Sequence, residues 1–157
     1  MDPRSHNTFQ NSSQNVFLTI AITTYNRKED LEQLISNIQD NLFKYNYEIL
    51  IGNDYQGELI EFNDRNIRVY NHKINLGEYE NICFLLKKSK GEYITFQFDD
   101  DRYSPKFFEK IEFILLKKPD YIFSDFDYYY DNLLAPIVEN YKIHEYSGKE
   151  FKRKFFL

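Results

Sequence analysis

Short apolar runs rich in β-branched residues, separated by helical patterns, constrain this chain more than any other feature. Residues 16–22 (VFLTIAI) are nearly continuous in apolar side chains and no longer than a strand. Such a run marks a strand buried on both faces of a parallel sheet, since a strand with one wet face would alternate. Residues 47–53 (YEILIGN) read as a second strand, 67–70 (IRVY) as a short third, and 93–98 (YITFQF), a β-branched and aromatic run, as a fourth. Between and after them, helical spacing is kept by Leu31, Leu34, Ile35, Ile38 and Leu42, by Ile82, Leu85 and Leu86, and by Phe107, Phe108, Ile111, Ile114 and Leu115. Strands alternating with helices predict an α/β fold with a mostly parallel, Rossmann-like sheet covered on both faces.

Boundary signals divide the chain further. Residues 1–15 are rich in Asn, Gln and Ser without either period and read as a disordered leader, leaving 16–157 as one domain. Asn26 is the expected N-cap of the first helix, which should end near Leu42. Asp54 and the turn-forming Gln56-Gly57 close the second strand, and 58–63 suit one helical turn. Asn75-Leu76-Gly77 leads into the second helix, with Gly91 as its C-terminal glycine. Ser104 and Pro105 suit the N-cap and first turn of a helix running to about Lys118, and 120–126 suit a fifth strand. Residues 128–134 suggest a hairpin turning at Asp131-Asn132, and Ser147 with Glu150 forms a capping box for a last helix.

The carboxyl ends of parallel strands are where such sheets bind ligands. The segment from Thr23 to Asn26, Asp54, and the triplet Asp99, Asp100 and Asp101 each follow directly on a strand, so all three should gather on one edge. Three adjacent carboxylates repel one another unless a cation sits among them, and a hard divalent ion, Mg²⁺ or Mn²⁺, takes oxygen ligands of this kind. The alternative is a solvated acidic turn that caps the following helix. No glycine-rich phosphate loop follows the first strand, so a phosphate-bearing ligand would depend on the metal.

Composition narrows the partners. The net charge of -5 argues against nucleic acid, and no apolar run approaches membrane-spanning length. Cys83 is alone, which excludes an internal disulfide and suits a cytoplasmic location; its apolar helical neighbours suggest a core position. Lys152, Arg153 and Lys154 beside Phe155 and Phe156 suit peripheral contact with the inner face of a membrane, or equally a basic helix face. His72 and His144 lack ligand-spaced neighbours, and Asp125, Asp127 and the tyrosines Tyr128, Tyr129 and Tyr130 suit a solvated strand end and a wet aromatic edge better than a site.

Taken in order, LTIAITTYNR (18–27), YEILIGND (47–54), NLG (75–77), GEYITF (91–96) and the Asp run ending in Tyr103-Ser104-Pro105 resemble the nucleotide-binding half of family-two inverting glycosyltransferases of the GT-A fold, particularly the spore-coat polysaccharide type. The likeness covers residues 16–126 and extends weakly through the capping box at Ser147. It implies a nucleoside-diphosphate sugar, UDP- or dTDP-linked, a Mn²⁺ or Mg²⁺ ion, and inverting transfer to a glycan or lipid-linked acceptor. By the resemblance Thr23 and Tyr25 lie beside the uracil, Asp54 accepts from the ring N–H, and Asp99 faces the ribose or the diphosphate. Asp100 falls at the metal-binding position, Asp101 shares the ion or orients its water, and Asn81 lies where relatives place a basic residue toward the nucleotide. Many relatives carry an acidic residue where Phe98 stands, so the usual Asp-x-Asp spacing is shifted here. The family's general base comes from sequence beyond a helix like the one begun at Ser147, hence beyond Leu157, which makes the expected unit a donor-binding half shortened at its C-terminus.

Other classes fit less well. A module that holds the donor without turnover is the alternative within the same site. A nucleotidyltransferase would carry a glycine-rich basic loop where Thr23 to Arg27 has no glycine, and a receiver domain would carry an Asp where Asn71-His72-Lys73 has none.

Overall fold

The apolar runs become a four-stranded, wholly parallel sheet: β1 (Leu18–Thr24), β2 (Tyr47–Asn53), β3 (Ile67–Asn71) and β4 (Tyr93–Phe98), in the order β3-β2-β1-β4. This computed structural model describes residues 16–41, 46–120, 122, 129–130 and 133–134, the last four by backbone alone. Two compact units divide the chain, Met1–Leu116 and Lys117–Leu157. The first holds the sheet with α1 (Lys28–Asp40), α2 (Glu78–Lys88) and α3 (Phe107–Leu115). In the second, β5 (Tyr129–Tyr130) and β6 (Leu133–Leu134) pair antiparallel, as the hairpin reading expects. Among the described residues no helix is long and apolar enough to cross a membrane.

Both faces of the central strands are dry. Ala21 and Leu50 pack with Leu85 of α2 on one face, joined by Tyr70, Phe84 and Ile94. On the other face Ile20 meets Ile38 of α1, Tyr47 and Phe108 of α3. Leu31, Leu34, Ile35 and Ile38 of α1 are all buried, as their spacing predicts. The amino end of the sheet is pinned by Glu48, a buried carboxylate that accepts from Thr19 Oγ1 (2.8 Å) and Lys90 N–H (2.7 Å) and pairs with Arg68.

Several local expectations are corrected. Asn26 is not the cap of α1: it takes a left-handed φ of 55°, which Asn tolerates, and the cap position passes to Arg27 without a side-chain cap bond. The described part of α1 ends at Asp40, and Leu42 lies outside the described residues. Residues 58–63 form no helical turn, because the Asn71 side chain takes both the N–H (3.0 Å) and the C=O (3.0 Å) of Ile60, the groups a turn would use. Leu86 points outward at 50% exposure, and the buried stripe of α2 is Asn81 and Leu85. Gly91 does not cap α2, which ends at Lys88; a Cβ there would lie 2.5 Å from Thr19 N, so glycine is needed for close approach to β1. Ser104 accepts through its C=O from Phe107 N–H (3.0 Å) in a turn with Lys106 left-handed (φ 63°), so α3 starts at Phe107 and stops at Leu115, short of Lys118. Of the expected fifth strand, Asp120 and Ile122 are not in a strand and the rest lies outside the described residues. Residues 1–15, Asp125, Asp127, His144, the capping box at Ser147 and the basic and apolar end also lie outside them.

Candidate functional site

Strand order reverses between β1 and β4, and ligand crevices of parallel sheets open at such a point. There Thr24 at the end of β1 donates through Oγ1 to Asp99 Oδ2 (2.7 Å) at the end of β4. Asp99 is only 5% exposed. Its other oxygen, Oδ1, faces Arg27 Nη1 at 3.4 Å, and the same Nη1 pairs with Asp100 Oδ2. The acidic turn is therefore held at its start by β1 and by the residue that caps α1.

Its exit is clamped just as firmly. Asn37 of α1 donates to Tyr103 O (3.1 Å) and accepts from Tyr103 N–H (2.9 Å). Arg102 wraps back, donating to the backbone oxygens of Asp99 (3.0 Å) and Asp101 (2.6 Å) and to Gln33 Oε1 (3.1 Å). Tyr103 is buried, its hydroxyl finds no hydrogen bond of good geometry among the described residues, and burial pushes its pKa up. Partial burial, reinforced by the charge of Asp100, also holds the Asp101 carboxyl above its ordinary value, while Arg102 opposes that rise. The hydrogen bond and charge of Asp100, followed by the charge of Asp99, raise the pKa of Arg27.

The second carboxylate at this edge is Asp54, 4% exposed, whose N–H donates to Thr24 O (3.0 Å). Its Oδ1 accepts from Leu76 N–H (3.2 Å), which ties the Asn75-Leu76-Gly77 loop to the end of β2. Among the described residues nothing donates to Oδ2. Beside it Tyr25, half exposed, meets Tyr55 edge to face with centroids 5.5 Å apart. The loop after β2 is anchored from below: Asn53 Nδ2 donates to Glu58 O (2.9 Å) and Asn71 Oδ1 (2.8 Å), and Ile60 is buried.

The structure thus brings Asp54, Tyr25, Asp99, Asp100 and Asp101 to one edge. Thr23 pairs with Gly52 and Phe98 in the same sheet, half-buried one residue short of the edge. Asn81 is placed differently, at 1% exposure: its Nδ2 donates to Gly52 O (2.9 Å) and its Oδ1 lies 3.2 Å from His72 Nε2, so both ends of the amide are engaged inside the domain. His72 also packs edge on against Phe84 at 4.7 Å, and so serves the packing of α2. Arg27, Asn37 and Arg102 complete the edge without having been singled out in the sequence, and Thr24, expected there only as part of the segment from Thr23 to Asn26, proves to be the residue that holds Asp99. The period-two rule held the signal for Thr24, since it shares a face with Ile20 and Ile22 rather than with Thr23.

A model of the family described as glycosyl transferase family 2 matches residues 19–156, most of the chain. This chain belongs to glycosyl transferase family 2. The family 2 domain is 29% identical over 143 residues to an uncharacterized glycosyltransferase of Rickettsia bellii (strain RML369-C), a match covering 87% of this chain and 20% of that protein. The chain therefore spans about a fifth of that relative's length. It is also similar at 16% identity to the crystal structure of S. aureus TarS 1-349, with a TM-score of 0.47 over 65% of this chain and 33% of that one. A second structure, of S. aureus TarS, gives 16% identity and a TM-score of 0.48 over 65% and 20% of the two chains.

Whether these residues suit a divalent ion is a question of oxygen donors. Among the described residues of the family 2 domain no three His, Cys, Asp or Glu side chains converge into a self-sufficient cage. A Mg²⁺-type ion does not require one, since one or two carboxylates plus substrate phosphates and water suffice. Asp100, more than half exposed, meets that requirement once Arg27 is moved, and Asp99 Oδ1 is the nearest second donor on the same guanidinium.

Proposed function

We propose that this family 2 domain binds a nucleoside-diphosphate sugar, UDP- or dTDP-linked, along the carboxyl edge of its sheet, for inverting transfer of the sugar to a glycan or lipid-linked acceptor. The observation that carries the reading is the pair of carboxylate centres flanking β1. Asp54 follows β2 and Asp99-Asp100 follow β4, with β1 between them. Strands about 4.8 Å apart set those centres roughly 10 Å apart, the scale that separates a nucleobase from its diphosphate.

Each centre suits one end of that ligand. Asp54 is buried and fixed through Oδ1, and among the described residues Oδ2 has no donor, so one acceptor is left for a ligand. Uracil and thymine offer a ring N–H to such an acceptor, whereas adenine has none at the corresponding position. Tyr25 and Tyr55 offer ring surface beside it. At the other end Asp100, with Asp99, would hold a Mn²⁺ or Mg²⁺ ion, the kind of cofactor common in the family. When bound, such an ion neutralises charge on the diphosphate leaving group. The chain's own part is to present Asp100 on a turn fixed at both ends, by Thr24 and by Asn37.

Competition calorimetry tests the reading. With Mn²⁺ present, UDP and dTDP should bind and displace one another, and ADP should bind at least about tenfold more weakly, the factor given by one 1.4 kcal/mol contact. Equal affinity for ADP and UDP would show that Asp54 does not read the base.

A further inference from the structure

Among the described residues Arg27 is the one cation whose side chain pairs with both Asp99 and Asp100 in the turn after β4, and a divalent ion would need the same oxygens. Its Nη1 lies 3.4 Å from Asp99 Oδ1 and pairs with Asp100 Oδ2, while Asp99 Oδ2 is already taken by Thr24. The placement is built into the backbone. Left-handed Asn26 turns the chain so that Arg27 becomes the first residue of the α1 end, its C=O accepting from Leu31 N–H at 3.0 Å and its side chain free to cross to β4. Arg27 remains half exposed, so its guanidinium has room to leave.

We propose that Arg27 is a resident counter-ion that competes with the divalent cation for Asp99 and Asp100 and passes to the diphosphate when the donor enters. This rests on the donor-site reading above. A guanidinium bonds phosphate in a fork, as it does carboxylate, so the donor offers it an equivalent partner while freeing the carboxylates. Metal and nucleotide then bind with positive coupling: each removes the partner that obstructs the other. Without nucleotide, the carboxylates stay neutralised by Arg27 and attract metal weakly. Lys28 does not share this role, because its Nζ is engaged with Glu58 at 2.7 Å on the neighbouring loop.

The test measures binding of Mn²⁺ alone, of UDP alone and of each in the presence of the other, on the full chain by calorimetry. Arg27→Met keeps the reach of the side chain and removes its charge; Lys28→Met removes an adjacent charge of the same sign and serves as control. The expected result is that Arg27→Met binds Mn²⁺ alone more tightly by roughly 5- to 150-fold, the usual span of a coupling of this kind, and shows a mutual enhancement of Mn²⁺ and UDP reduced by a similar factor, leaving the share that direct attraction between ion and diphosphate supplies. Lys28→Met should match the wild type, and Arg27→Lys, which keeps the charge as a compact, more strongly hydrated ammonium, should lie between. Thermal melting checks that each variant is folded; if Arg27→Met is not, Arg27→Lys carries the comparison. Unchanged or weaker Mn²⁺ binding in a folded Arg27 variant overturns the proposal while leaving the donor site standing. An equal gain in Lys28→Met overturns it too, by showing a general charge effect. Absence of both Mn²⁺ and UDP binding in the wild type overturns the donor site itself and this inference with it.

Discussion

Thr24 Oγ1 donates to Asp99 Oδ2 at 2.7 Å across the boundary between β1 and β4, with both residues almost wholly buried. This bond joins the two strand ends where the sheet order reverses, and it fixes the first carboxylate of the acidic turn. Thr24→Val keeps the shape and leaves a buried carboxylate oxygen without its donor. The expected cost is about 1 to 3 kcal/mol of stability, whereas Thr24→Ser should stay close to the wild type. Urea denaturation of the three proteins measures the difference, and a Thr24→Val protein as stable as the wild type would contradict the role given to this bond.

Gly52 and Asn81 form the second fixed contact, between β2 and α2. A Cβ at position 52 would lie 1.9 Å from Asn81 Oδ1, so Gly52→Ala must push the amide out of its bond to Gly52 O. Overpacking of this kind costs about 1 to 3 kcal/mol. Combining Gly52→Ala with Asn81→Ala removes the clash, so the double variant should be more stable than the sum of the two single losses predicts. Additive losses would mean that Asn81 relaxes freely and does not set the position of α2.

Asp54→Asn tests base reading without disturbing packing. The change keeps size but turns one acceptor into a donor, and it should weaken UDP binding by about 1 to 3 kcal/mol in the presence of Mn²⁺. ADP binding should change much less. Equal losses for the two nucleotides would place the effect in the Leu76 loop that Asp54 also holds.

How far the sequence disclosed this arrangement depends on the range of the interaction. β1 and β2 fall where their apolar runs lie, because burial on both faces of a parallel sheet leaves a local trace in composition, and β4 is legible from its β-branched and aromatic residues although Phe96 and Phe98 are exposed. Asp54 and the acidic triplet were legible for the same reason: each follows a strand, and parallel strands end on one edge. The triplet was legible as a need for positive charge, read from the sequence as a divalent ion. That charge is supplied in the structure by Arg27, seventy-two residues before Asp99, and nothing local in the sequence joins the two. Residues 58–63 misled for a related reason, since their helical appearance gives way to hydrogen bonds from Asn71, eleven residues beyond Ile60. Gly91 likewise has the look of a helix end, yet its role is set by contact with Thr19 of β1. Local pattern discloses elements, while the side chains that fasten one element to another answer to tertiary contacts.

The central claim is that the acidic turn and Asp54 together form a metal-dependent nucleotide site, and UDP calorimetry with and without Mn²⁺ tests it most directly. The account predicts measurable UDP binding with Mn²⁺, a marked loss in excess EDTA, and the same loss in Asp100→Ala even when Mn²⁺ is present, because the diphosphate would then meet Asp99 and Asp101 with too little positive charge between them. Equal UDP affinity with Mn²⁺ and with EDTA, or an Asp100→Ala protein that binds Mn²⁺ and UDP like the wild type, would contradict it.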